Sequence, residues 1–239
     1  MYGHRARIGY TCPPRVTEVF PYEFYKMAPP GVTLALTSLL IYDHTLEEMQ
    51  RSLTMSIEAA RDMAKAGVNM VILGGGPILT SEGKGYGRVP ELIAQTEKEI
   101  GIPVSTSITI YGEAMKTLGA KKVGTIGYGE PNAGGESYLS EYGIDLVDSR
   151  GACAPFVDVA KLSSDISLNF ARELKRLHPE IDTINLGAPH WATIENIEPL
   201  EQELGINVVT GSQMILWAGL RRCGVSDSIK GYGRLLSDF

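Results

Sequence analysis

Two stretches of the chain repeat one pattern, and this repeat constrains the fold more than any other feature. Residues 66–80 read AGVNMVILGGGPILT, and residues 181–195 read IDTINLGAPHWATIE. In both, a short apolar run ends in Leu-Gly, followed by a small residue and, within two positions, a proline. Each stretch predicts a buried strand that runs into a tight turn, where open α/β sheets bind ligands through backbone N–H groups. Two copies predict one site between two halves.

The rest of the chain favours a duplicated α/β fold. Strand-like apolar runs alternate with amphipathic stretches along the chain. The stretch GIPVSTS at 101–107 is similar to GINVVTGS at 205–212. The 239 residues, 44% of them apolar, suffice for a sizeable core. We therefore expect two pseudo-symmetric α/β halves, each a mainly parallel sheet with helices on both faces, with the active site in the crevice between them. The first half would comprise residues 1–116 plus 214–239, and the second residues 117–213.

Local patterns predict individual segments. Periodicity indicates strands at 7–10, 122–127 and 183–186 and one long amphipathic helix at 157–177. The stretch 22–31 is rich in aromatic residues and proline and resembles a covering loop, a candidate lid. The tail GYGRLLSDF is expected to pack back on the first half.

The charge and the cysteine content of the chain limit which molecules it can bind. A net charge of −6 argues against nucleic acid and anionic membranes, which require concentrated lysine and arginine. The chain shows no apolar run of about 18 residues and no signal-peptide core, so a cytoplasmic enzyme is expected. Three widely spaced cysteines fit neither a disulfide framework nor a zinc site. No HxxxH or HxH spacing, dinucleotide fingerprint or P-loop lysine is present, so neither a metal nor another cofactor is expected.

The candidate binding residues belong to the turns and their surroundings. Turn amides together with threonine hydroxyls form a neutral set of donors, which suits a small carboxylate. The predicted substrate-binding residues are Thr11, Pro14, Gly75, Gly76, Pro77, Thr80, Asn132, Gly187, Ala188 and Pro189.

Three further residues are candidates for catalysis. His190 follows the second turn and could act as an acid or base with an inflection near pH ~6.5, although a histidine bonded within the loop is the alternative. Cys12 lies in the exit turn of the first strand, where Arg15 could lower its pKa, but the sequence favours a small buried apolar residue at this position. Tyr128 could donate from its phenol or simply pack at a strand end.

Several motifs together resemble the aspartate/glutamate racemase superfamily, and within it the arylmalonate decarboxylase and maleate isomerase families. They are IGYTCPP at 8–14, the AGVNMVILGGGP turn, Tyr128 with Asn132, the turn around Gly187, and GYGRL at 231–235. The resemblance spans nearly the whole chain. It implies one catalytic cysteine in each half's turn, or only the second in the decarboxylase. Those positions match Gly75 (or Gly76) and Ala188, so both family cysteines are missing.

The sequence and the resemblance together lead to a functional hypothesis. We expect a cofactor-independent enzyme acting on a small mono- or dicarboxylic acid, a lyase of decarboxylase or hydratase type or a hydrolase. Turn amides and hydroxyls would hold the carboxylate or an enolate-like intermediate, and His190 or Cys12 would supply the proton. The alternatives are an isomerase of the maleate isomerase or racemase type and a non-catalytic carboxylate-binding protein. Assembly into a homo-oligomer is left open.

Overall fold

A computed structural model describes residues 2–80, 86–131 and 137–239. Two parallel four-stranded sheets, surrounded by helices, form the molecule, as the alternating sequence pattern predicts. The first part of the chain contains β1 (Ala6–Pro14), α1 (Val19–Met27), β2 (Val32–Ile41), α2 (Leu46–Lys65), β3 (Met70–Leu73), α3 (Gly76–Thr80), α4 (Val89–Ile100), β4 (Val104–Thr106) and α5 (Ser107–Thr117). The second part contains β5 (Lys122–Gly127), β6 (Asp145–Gly151), α6 (Ser164–Leu177), β7 (Thr183–Leu186), α7 (Ile197–Leu204), β8 (Asn207–Thr210), α8 (Gly211–Arg222) and α9 (Arg234–Asp238). Short 3₁₀ helices occupy Tyr86–Arg88, Ser137–Tyr142, Phe156–Lys161 and Ile194–Asn196.

The two sheets have the same topology, β2-β1-β3-β4 and β6-β5-β7-β8. The strand registers show which residues of the two sheets occupy equivalent positions. Thr11 pairs with Leu73, as Ile126 pairs with Leu186. The following glycine then donates its N–H back to the central strand, Gly74 to the Thr11 carbonyl and Gly187 to the Ile126 carbonyl. Gly75 and Ala188 therefore occupy equivalent positions.

Helices α5 and α8 are exchanged between the halves in the sense that each contacts residues of the half to which its preceding strand does not belong. Helix α8 follows the last strand of the second sheet, yet its Gly219 lies directly against Ile8 of β1. Helix α5 follows the first sheet, yet its Gly112 lies against the ring of Tyr142, and the Tyr142 hydroxyl donates to the Thr109 carbonyl at 3.2 Å. Both helices are N-capped by the threonine that ends the preceding strand, because the Thr106 and Thr210 side chains each accept a backbone N–H.

The tail joins both parts of the molecule rather than packing on the first half alone. The Tyr232 hydroxyl donates to the Lys26 carbonyl at 3.3 Å, whereas the Arg234 guanidinium donates to the Asn207 side chain at 2.9 Å. A second connection is the buried carboxylate of Glu23 on α1, which accepts the N–H groups of Thr193 and Ile194. The division at residues 116 and 214 stays a prediction.

Two predicted segments were wrong. The stretch 22–31 is not a covering loop, because most of it belongs to helix α1, whose Phe20, Phe24 and Met27 enter the core. The predicted helix 157–177 is broken at Ser163, whose side chain accepts the Asp165 N–H and starts α6 anew. No helix in the described ranges is both long and apolar enough to cross a membrane.

Candidate active site

A cavity of about 280 Å³ lies between the two sheets, at the carboxyl ends of their strands. Both predicted turns open into it. Its walls are Tyr10, Pro13, His44, Gly75, Gly76, Pro77, Ile78, Ser107, Ile108, Tyr111, Thr125, Ile126, Gly127, Tyr128, Gly129, Glu130, Tyr138, Phe156, Asn185, Gly187, Ala188, Pro189 and His190. The structure thus brings together eight of the predicted residues, Gly75, Gly76, Pro77, Tyr128, Gly187, Ala188, Pro189 and His190.

The first turn presents backbone donors. Gly75 has a φ of +85°, a conformation that glycine adopts without steric cost, and a Cβ there would meet Ile78 at 2.5 Å. Within the described part of the chain, the N–H groups of Gly75 and Gly76 donate to no acceptor. They are therefore available to a bound anion.

The second turn repeats the arrangement with less strain. Gly187 has no positive φ, and a Cβ there would only approach the Ile126 carbonyl at 3.2 Å. The N–H of Ala188 has no acceptor among the described residues, and its carbonyl accepts the Trp191 N–H at 3.1 Å. Pro189 carries no N–H, so this turn offers fewer donors than the first.

Two polar side chains lie below the second turn. Thr125 and Asn185 face each other in the register of β5 and β7 and are 4% and 2% exposed. Neither Thr125 Oγ1 nor Asn185 Oδ1 finds a hydrogen-bond partner among the described residues. Both residues line the cavity.

His190 reaches the cavity but is kept neutral. Burial, together with the neighbouring His44, lowers the pKa of His190 to about 3. Its Nδ1 lies 3.9 Å from Cys12 Sγ, and its ring packs edge-on against Phe156 with centroids 5.8 Å apart. The predicted titration of His190 near pH 6.5 is therefore wrong for this environment.

Cys12 lies behind the cavity wall rather than in it. Burial raises the pKa of its thiol to about 12, which opposes the expected activation by Arg15. The Sγ atom donates to Thr17 Oγ1 at 3.6 Å. A thiol that stays protonated and does not line the cavity cannot act as a nucleophile on a molecule bound there.

Tyr128 belongs to an aromatic group at the cavity mouth. Its hydroxyl lies 3.5 Å from His44 Nε2, and its ring centroid lies 5.4 Å from that of Phe156. Burial raises the pKa of Tyr128 to about 12 and lowers that of His44. At neutral pH the phenol therefore keeps its proton beside an uncharged imidazole.

Three predicted binding residues lie elsewhere, and one is not described. The Thr11 hydroxyl bonds Ser56 at 2.7 Å and receives the Gly74 N–H, so it stabilises the turn from behind. The Thr80 hydroxyl donates to the Gly76 carbonyl at 3.0 Å within α3. Pro14 borders a neighbouring cleft, and Pro13 takes its place at the cavity. Asn132 lies outside the described residues.

Several cavity residues escaped sequence reasoning because their local patterns are ordinary. Tyr10, Thr125 and Asn185 are interior strand positions, and Tyr111 belongs to a helix face. The sequence did contain one signal for Asn185. A strand that is buried on both faces normally consists of apolar residues throughout, so an asparagine within TINL indicates a functional position. His44 carried no such signal.

The site is uncharged apart from one carboxylate. Among the residues that the structure describes, no lysine or arginine lines the cavity, and Glu130 is its sole acidic residue. In those same ranges, no group of three or more histidine, cysteine, aspartate or glutamate side chains could hold a metal ion. An anion in this cavity would be held by amide and hydroxyl dipoles.

Known proteins resemble the chain over nearly its whole length. Arylmalonate decarboxylase of Bordetella bronchiseptica is 23% identical over 201 residues, 82% of this chain and 80% of that protein. Maleate isomerase of Pseudomonas putida S16, solved as a cysteine-to-alanine variant with maleate, has a TM-score of 0.85 at 22% identity and covers 97% of both chains. Maleate cis-trans isomerase of Nocardia farcinica, solved as a cysteine-to-serine mutant with a covalently bound succinylcysteine intermediate, has a TM-score of 0.84 at 18% identity, covering 98% of this chain and 99% of that one.

These relatives are enzymes, one a decarboxylase and two isomerases. The family model of arylmalonate decarboxylase matches residues 8–236, which include β1 from Ile8 onward, β2 to β8 and both turns of the site. The chain therefore belongs to the arylmalonate decarboxylase family.

Proposed function

We propose that this chain is a cofactor-independent lyase that removes one carboxyl group from a small dicarboxylic acid with an apolar substituent. The observation that carries the proposal is the pairing of free turn amides with an apolar wall in one cavity, in which Glu130 is the sole charged residue among those that the structure describes. The N–H groups of Gly75, Gly76 and Ala188 hold a carboxylate. The wall of Ile78, Ile108, Ile126, Tyr138 and Phe156 receives the substituent.

The missing thiols exclude an intermediate bound to a turn cysteine, and they also remove the second-turn cysteine that the resemblance implies for the decarboxylase, so a lyase here needs another proton donor. The intermediate of the Nocardia isomerase is bound covalently to a cysteine. The resemblance implies that the family's cysteines match the turn positions Gly75 and Ala188 of this chain, and neither residue can form such a bond. Loss of carbon dioxide requires no covalent intermediate. It requires stabilisation of the enediolate that remains, which turn amides provide.

The proton that completes the reaction comes from Tyr128. The bond between the central carbon and one carboxyl carbon breaks, carbon dioxide leaves, and the electron pair stays on the enediolate. The phenol of Tyr128 then transfers its proton to that carbon and regains one from water. Because its pKa is raised to about 12, the phenol is protonated throughout the neutral range, and the enediolate carbon is basic enough to take the proton.

The test is turnover of an arylmalonate and of maleate, followed by nuclear magnetic resonance in D₂O. The expected result is bicarbonate together with an arylacetate that carries deuterium at the α-carbon. Conversion of maleate to fumarate without bicarbonate would overturn the lyase in favour of the isomerase. A rise in melting temperature with both ligands intact would show a non-catalytic carboxylate-binding protein.

The role of Tyr128 has its own test. Tyr128→Phe should lower kcat by about 10²–10⁴, the usual contribution of a general acid, and leave KM nearly unchanged. Tyr142→Phe is the matched control, since Tyr142 is a phenol of raised pKa that does not line the cavity. Wild-type kcat in a folded Tyr128→Phe enzyme would exclude the phenol as the proton donor.

A further inference from the structure

The second half of the site contains a polar pair, and the fold does not require the amide of that pair. Residues Tyr10 and Ile72 of the first sheet occupy the positions that Thr125 and Asn185 occupy in the second, two residues before the turn glycine on β3 and β7. Ile72 is fully buried and apolar. The position equivalent to Asn185 therefore packs well with an apolar side chain, so the fold does not require an amide at Asn185.

Both side chains belong to residues of the cavity wall, and each has a buried oxygen without a partner among the described residues. These atoms are Thr125 Oγ1 and Asn185 Oδ1. Buried polar atoms are nearly always hydrogen-bonded in folded proteins, and an unsatisfied pair in a cavity points to a missing partner molecule. Since register neighbours of parallel strands lie about 4.8 Å apart, one small group can contact both side chains.

We infer that Thr125 and Asn185 form a subsite for a neutral hydrogen-bonding group of the substrate, a hydroxyl or a primary amide. This inference rests on the proposed function, because the turns hold the carboxylate of the same molecule. Asn185 Oδ1 is an acceptor and needs a donor opposite it, whereas the Thr125 hydroxyl can donate or accept. A carboxylate has no proton to give to Asn185 Oδ1, and a methyl group would leave both atoms unsatisfied.

The distance along the strand fixes where this group lies in the substrate. Asn185 precedes Gly187 by two residues, which places the subsite roughly 6.6 Å below the turn at ~3.3 Å per residue. A carboxylic acid with an amide or hydroxyl three to four bonds from its carboxyl carbon spans that distance. Succinamate is the simplest probe of this kind.

The experiment compares three ligands of nearly equal size by isothermal titration calorimetry. Succinamate offers an amide, 4-oxopentanoate replaces its NH₂ by CH₃, and succinate replaces the amide by a carboxylate. The native protein should bind succinamate at least about tenfold more tightly than either, the equivalent of one hydrogen bond. In Asn185→Leu and in Thr125→Val the preference should fall to about onefold to threefold.

Ser105→Ala is the matched control. Ser105 Oγ is also buried without a partner in the described structure, but Ser105 does not line the cavity. This variant should keep the preference for succinamate. If Asn185→Leu does not fold, Thr125→Val, which keeps the shape of the side chain, decides the question. Equal binding of all three ligands to the native protein, or an unchanged preference in Thr125→Val, would overturn the subsite while leaving the turn site intact.

A neutral probe separates this inference from the proposed function. Butanamide has the amide but no carboxylate, and its binding is measured by saturation-transfer nuclear magnetic resonance. A signal that is present in the native protein and lost in Thr125→Val supports the subsite even if no carboxylate binds, and in that case only the proposed function fails. Absence of binding by butanamide and by all three acids would overturn both.

Discussion

At the scale of single residues, burial decides the chemistry of His190 and Cys12. Both are candidates by their position in the sequence, and the structure places their side chains 3.9 Å apart. Burial favours the neutral form of each group, so the pKa of the imidazole falls to about 3 and that of the thiol rises to about 12. The pair is therefore uncharged from about pH 4 to pH 11, and neither member gives the rate an inflection near neutrality.

His190 should instead affect stability in acid. Its pKa is about 3 in the folded state and ~6.5 in the unfolded state, so between those values the unfolded state binds the extra proton. Relative to His190→Gln, the wild type should lose about 1.4 kcal/mol of unfolding free energy per pH unit as the pH falls from ~6 to ~4. Above pH ~6.5 the difference should be constant. Urea unfolding at four pH values measures it, with His4→Gln as the exposed control, and parallel curves would contradict the prediction.

Cys12 should resist alkylation. Its thiol is buried with a raised pKa, whereas Cys153 is exposed. Native protein treated with iodoacetamide should be modified first at Cys153, and turnover should persist while Cys12 is unmodified. Peptide mass spectrometry at successive times gives the order. Early modification of Cys12 with parallel loss of activity would show that the thiol is accessible from the cavity.

At the scale of elements, the two turns are equivalent in register but not in strain. Gly75 has a φ of +85°, and a Cβ there would clash with Ile78. Gly187 has no positive φ, and a Cβ there would lie 3.2 Å from the Ile126 carbonyl. The structure therefore separates a turn that requires glycine from one that tolerates a small side chain.

Alanine substitutions should reveal this difference. Gly75→Ala should lower the unfolding free energy by about 1–2 kcal/mol, the cost of a left-handed conformation for a residue with a Cβ. Gly187→Ala should lower it by less than Gly75→Ala does, because its Cβ would meet only the Ile126 carbonyl at 3.2 Å and its φ is not positive. Thermal or urea unfolding of both variants measures the effect, and equal destabilisation would contradict the assigned backbone conformations.

Strands were the elements most predictable from sequence, and polar site residues the least. The strands Lys122–Gly127 and Thr183–Leu186 have the predicted bounds, because apolar runs between glycines and charged residues are clear signals. Helix α1 was missed because Pro21 and its aromatic residues suggest irregular structure, although proline is tolerated in a first helical turn. The turns were found because their repeat is visible, whereas the pairing of Thr125 with Asn185 depends on strand register, which no single strand reveals.

At the scale of the whole molecule, the exchanged helices join the halves into one cooperative unit. Gly219 of α8 packs on β1, and α5 packs beside Tyr142 in the second part of the chain. Displacing either helix would break the contacts that it makes with the other half. Unfolding of one half alone would therefore be unfavourable.

The two tryptophans report on this coupling. Trp191 follows the second turn, and Trp217 lies on α8. The variant Trp191→Phe keeps only Trp217, and Trp217→Phe keeps only Trp191, so the fluorescence of each variant reports on one tryptophan. In each variant, the urea midpoint of the fluorescence change should equal the midpoint of the far-ultraviolet circular-dichroism change. Comparing the two midpoints within one variant removes any effect of the substitution on stability. Two separated midpoints would show halves that unfold independently.

The helix exchange also bears on how such a chain could arise. A half-length precursor with this topology would have lacked the contacts that its last helix now makes with the other half. Only a second copy could have supplied the missing contacts, by reciprocal donation of a helix, as in domain-swapped dimers. Gene fusion would then have joined two subunits that already depended on each other. Afterwards each turn could diverge separately, one towards Gly75 and the other towards Ala188.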